Sequence, residues 1–77
     1  MPHIEIKCFP GRSEEQKTLC AEKVAQAAAE ALGVKTSSVS VAIKEVEKEN
    51  WKKDVWDTQI VPDEKDLYKK PGYTCDW

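Results

Sequence analysis

The chain has 77 residues, a formal net charge of −2 with 34% charged residues of mixed sign, and three cysteines. That length holds one small domain, spanning 1–77, which buries a modest fraction of its surface on folding. The charge pattern excludes a basic nucleic-acid-binding surface and an acidic disordered tail, and the apolar runs are too short for a membrane span.

No signal-peptide core opens the chain, so a cytoplasmic location is expected. Cys8, Cys20 and Cys75 are odd in number, with no CxxC pair and no metal-ligand spacing. With His3 as the single histidine, neither a disulfide framework nor a metal site is expected, and the cysteines read as reduced, small apolar packing residues. Oligomerisation is then the expected source of additional buried area.

Residues 3–8 alternate, with His3, Glu5 and Lys7 on one face and Ile4, Ile6 and Cys8 on the other, which predicts a half-buried strand. Pro2 falls on the Ile4/Ile6 face. Small second residues permit removal of Met1, and a Pro2 so exposed presents a secondary amine held by its own ring and by the strand behind it. An α-amino group ordinarily titrates at roughly 7.7–8.0, and a secondary alkylamine higher, so a site that uses this amine as a base must favour its neutral form. An apolar strand face does so. His3 points the other way and reads as a solvated or hydrogen-bonded strand histidine.

Phe9-Pro10-Gly11-Arg12 breaks the strand. Ser13-Glu14-Glu15-Gln16 is a capping box, and Leu19, Cys20, Val24, Ala27, Ala28, Ala31 and Leu32 follow at helical spacing up to Gly33, the expected C′ residue. After a Thr36-Ser37-Ser38 loop, Val39, Val41 and Ile43 alternate with Ser40, Ala42 and Lys44, predicting a second strand to about Val46. Strand, long helix, strand makes a βαβ unit with parallel strands and a right-handed crossover. Glu45 to Asn50 reads as a solvated turn, and Trp51 and Trp56 fall in or beside a short helix. Pro62-Asp63-Glu64 predicts a further helical turn or two that ends at Lys69-Lys70, before Pro71-Gly72. The aromatic tail Tyr73–Trp77 is expected to pack against something, with a second subunit one option.

Two parallel strands and one helix leave a sheet edge and face uncovered, so the sheet is expected to be completed by a second copy. Pro2 starts the first strand and Arg12 follows its end, roughly 20 Å away at about 3.3 Å per residue. Arg12 and Trp51 of one copy are therefore expected to reach Pro2 of the other. A guanidinium and an indole there would disfavour the charged amine, and Arg12 could hold a substrate carboxylate. Such a set suits proton abstraction α to a carbonyl, with return of the proton elsewhere, and calls for no metal or organic cofactor.

Pro2 in PHIEIKCFPGRSEEQK, the TSSVSVAIKEV strand, Trp51 and the Lys69-Lys70-Pro71-Gly72-Tyr73 segment together resemble the tautomerase superfamily. The likeness is to the 4-oxalocrotonate tautomerase group, and within it to dimeric bacterial phenylpyruvate-type tautomerases. It covers nearly the whole chain. It implies an α/β tautomerase-type fold, a βαβ unit with short C-terminal helices whose sheet is completed by dimerisation. It implies a cofactor-independent keto–enol tautomerase, an isomerase, with Pro2 as proton acceptor and donor, Arg12 binding a substrate carboxylate and Trp51 beside the proline. The group's second substrate-binding arginine falls at Ser40, so a monocarboxylate enol with an apolar or aromatic tail fits better than a dicarboxylate. The resemblance also suggests a homodimer, its tail from Asp63 onward limiting further assembly. Two alternatives stay open. One is a non-enzymatic α/β dimer serving as an interaction module. The other is a relative using Pro2 for hydration or dehalogenation.

Overall fold

Strict alternation in HIEIKC gives strand β1, His3–Cys8, and SVAIKE gives strand β2, Ser40–Glu45. In this computed structural model, which describes residues 1–77, the two pair in parallel with His3 opposite Ser40, Ile4 opposite Val41 and Ile6 opposite Ile43. The apolar residues therefore line up across one face. The other face is polar: the Glu5 carboxylate lies 3.6 Å from both Lys7 and Lys44.

The link between the strands is helix α1, Glu14–Leu32. Its start is fixed as the sequence predicts. The Gln16 amide donates to Ser13 Oγ at 3.1 Å and the Ser13 amide to Gln16 Oε1 at 2.9 Å, satisfying two amides that a bare helix end leaves open. Gly33 ends it at φ +71°, its amide donating to the Ala29 carbonyl, and Gly11 allows the entry turn at φ +121°; both values favour glycine.

The helix face that packs inward differs from the expected stripe. Lys17, Ala21, Val24, Ala25 and Ala28 are half-buried and Ala29 is buried, whereas Leu19, Cys20, Ala27, Ala31 and Leu32 are exposed. Alanines let a helix approach a sheet closely, and the Lys17 stem covers apolar surface while its charged end reaches water. The bulky leucines are left on the outside. Cys20 is accordingly not a packing residue, Cys8 is only half-buried, and Cys75 alone is buried.

These elements form one compact unit, Met1–Glu45, and Val46–Trp77 forms a second. The second unit corrects two expectations. Residues 48–51 are not a turn but helix α2, Lys48–Trp51, which runs on into a nine-residue π-helical segment, Lys52–Ile60. The Val61 amide still bonds five residues back to the Trp56 carbonyl, at 2.9 Å. Residues 62–70 are not a helix of one or two α-turns. A single 3₁₀ turn at Glu64–Asp66 is all that forms, and Lys69 Nζ donates to the Lys70 carbonyl. Of that stretch only Leu67 is half-buried, and Tyr68 is fully exposed, so no apolar stripe rewards a longer helix. No helix of the chain is long and apolar enough to cross a membrane.

Candidate active site

Pro2 precedes β1 as the residue whose carbonyl receives the first cross-strand bond, 3.1 Å from the Ser40 amide. It is half-buried, in phase with Ile4 and Ile6, while Met1 is fully exposed. The next residue repeats the tie: His3 Nδ1 lies 2.6 Å from Ser40 Oγ. Ser40 thus holds the start of β1 twice, once through its amide and once through its hydroxyl. His3 is the exposed, hydrogen-bonded strand histidine that its phase predicts.

Arg12 lies beyond the far end of the six-residue strand, exposed, with Nη1 donating to the Phe9 carbonyl at 3.0 Å. A guanidinium has five N–H donors, so this bond leaves a fork free for a carboxylate. Arg12 also lines a cavity of about 200 Å³ whose floor is Ile6 and Ile43 and whose walls include Cys8, Cys20 and Lys17. Lys17 bonds Glu14 at 2.6 Å and lies 3.8 Å from Glu45, tying the first turn of α1 to the end of β2. The hydrogen bond to Glu14 holds the Lys17 ammonium above the usual lysine range, with smaller contributions from the charges of Glu14 and Glu45. Within this unit Pro2 and Arg12 stand at opposite ends of β1 and are not brought together.

Trp51 closes helix α2 in the second unit. Its indole N–H donates to the Tyr73 hydroxyl at 3.0 Å. The Tyr73 ring lies 5.2 Å from Trp56 and 6.0 Å from Trp77, and Lys48 Nζ stands 5.8 Å over the Trp77 ring. A cavity of about 310 Å³ in this unit is lined by Trp56, Ile60, Leu67 and Pro71 among others, and none of Pro2, Arg12 or Trp51 contributes to it.

Sequence reasoning missed the partners of these residues. Ser40 entered as a polar position of the second strand and one without charge, and the parallel register that puts it directly across from His3 was not drawn. Tyr73 entered only as part of an aromatic tail, and the Pro71-Gly72 turn before it was the available sign that the ring is brought back onto something.

Comparison with known proteins supplies the family. Residues 2–53 match the family model described as "Tautomerase enzyme". The chain belongs to the tautomerase family. As a tautomerase it is an isomerase. The chain is 49% identical over 75 residues to the tautomerase PptA of Enterobacter sp. (strain 638), covering 96% of this chain and 99% of that one. The PptA of Cronobacter sakazakii is 49% identical over 74 residues, covering 95% and 97%. Among solved structures, a chain from a study of the 4-oxalocrotonate tautomerase isozymes of Methylibium petroleiphilum superposes with a TM-score of 0.62. It is 48% identical, over 65% of this tautomerase and 81% of that chain. The matched span holds Pro2, Arg12 and Trp51, and the parallel βαβ arrangement fits the α/β tautomerase fold.

Proposed function

We propose that this tautomerase interconverts the enol and keto forms of 2-oxo carboxylates that carry an apolar or aromatic tail, as phenylpyruvate does, with Pro2 as the general base and acid. Removal of Met1 frees the amine. The neutral amine takes the proton from the enol hydroxyl of the substrate, an enolate forms, and the protonated amine returns the proton to carbon. No cofactor enters the cycle. Arg12 binds the carboxylate in a bidentate pair, and the Trp51 indole covers the tail and keeps the site dry.

The observation that carries this reading is the hold on Pro2. Its carbonyl is bonded to Ser40 and its ring is half-buried in phase with the apolar face of β1, so the amine has a fixed direction and an apolar setting. Ser40, a neutral residue, supports a monocarboxylate over a dicarboxylate.

The active form in this reading is a cytoplasmic homodimer, in which Arg12 and Trp51 of one copy serve Pro2 of the other. Support comes from the Met1–Glu45 unit, whose two-stranded sheet leaves each strand with an unpaired edge that a second copy can meet.

The test is the rate of phenylpyruvate enol-to-ketone conversion, followed in the ultraviolet, for the wild type and Pro2→Ala, with loss of Met1 verified by mass spectrometry. Removing the secondary amine should lower kcat/KM by about 100-fold or more. Equal rates in the two proteins would eliminate Pro2 as the base.

A further inference from the structure

Tyr73 is the hub of the second unit's aromatic side chains. Its ring touches Trp56 on one side and Trp77 on the other, and its hydroxyl accepts the indole N–H of Trp51 at 3.0 Å. The hydroxyl is brought there by the Pro71-Gly72 turn, and the tail is anchored by Cys75, only 4% exposed. An indole ring turns about two side-chain bonds, and its N–H is the one group on it that can fix a direction by hydrogen bonding. Trp51 stands where helix α2 runs on into the π-helical segment, so its backbone is helical and the side-chain bonds are what decide how the ring faces. The Tyr73 oxygen is therefore well placed to choose which face of the indole is presented.

We propose that Tyr73 is a positioning residue of the active site, which orients Trp51 through this hydrogen bond and so sets the apolar wall against which the substrate tail lies. The proposal rests on the reading of Trp51 as a substrate-binding residue. It gives the C-terminal segment a part in substrate selection, where its sequence suggested only a role in assembly. Tyr73 acts through Trp51 and touches neither substrate nor base. Its own ring is held by two tryptophans, which fixes where the acceptor oxygen stands.

The test is a double-mutant cycle on Tyr73→Phe and Trp51→Phe, with enol–keto conversion of phenylpyruvate and indole N–H resonances of ¹⁵N-labelled protein as readouts. Tyr73→Phe keeps the ring and its contacts with Trp56 and Trp77. It should raise KM by about threefold to tenfold, the range of one lost hydrogen bond, and leave kcat within a factor of two. The Trp51 indole proton should move upfield and exchange faster with solvent, while those of Trp56 and Trp77 hold. In the Trp51→Phe background, adding Tyr73→Phe should change KM by less than a factor of two. Additive effects of the two substitutions would overturn the proposal, and so would a fall in kcat at constant KM. A silent Tyr73→Phe beside a deleterious Trp51→Phe would overturn it while leaving Trp51 in the site. A silent Trp51→Phe would instead overturn the reading of Trp51 on which it rests. The resonance measurement needs no activity, so an unmoved Trp51 proton in Tyr73→Phe is decisive against the hydrogen bond.

Discussion

Ser40 carries two bonds to the start of β1, and they differ in what a substitution can remove. Its amide bond to the Pro2 carbonyl is backbone and survives any side-chain change except proline. Its hydroxyl bond to His3 is lost in Ser40→Ala. Because both residues are exposed, that loss is expected to cost about 0.5 kcal/mol, at the low end for a hydrogen bond, read as a lower urea midpoint at unchanged slope. The fall in turnover should be much smaller than in Pro2→Ala, since the proline's own tie remains. Ser40→Thr, which keeps a hydroxyl and suits a strand, should restore the midpoint.

Helix α1 shows which features of an element can be read in advance. Its ends were legible because capping is local chemistry: Ser13 and Gln16 are three residues apart, and Gly33 takes a left-handed conformation that few other residues tolerate. Ser13→Ala should therefore destabilise the protein by about 1 kcal/mol in urea unfolding, and Ser13→Asp, which can still accept the bond, by much less. Its buried face was not legible, because a helix with apolar residues on two sides offers two faces to the sheet. Close approach selected Ala21, Ala25 and Ala29 over Leu19 and Leu32. The same division holds at the candidate site. Pro2 and Arg12 stand out by residue type and by their place on either side of β1. Ser40 as partner of Pro2, like Tyr73 for Trp51, depends on strand register and on chain returns that local pattern does not encode. The π-helical segment was invisible for a related reason. Its hydrogen bonds skip one more residue than an α-helix, with no distinctive composition to announce it.

At the scale of the molecule, little is truly buried. Ala29, Val55 and Cys75 are the buried apolar residues, and no large side chain is fully enclosed. A chain so provisioned should not persist as a stable monomer. Sedimentation equilibrium is expected to give twice the chain mass of 8.7 kDa, and the thermal midpoint should fall on dilution. A monomer mass at micromolar concentration, with full activity, would rule out a site shared between copies.

The pairing of His3 with Ser40 joins residues 37 apart in the chain. During biosynthesis β1 is made before α1, and its partner strand follows only after the whole of that helix. At the pace of ribosomal synthesis that gap lasts about two to seven seconds. Throughout it, Ile4 and Ile6 have no strand beside them and the carbonyl of Pro2 has no amide to meet. The residue proposed to do the chemistry thus waits for Ser40 before it has a fixed place.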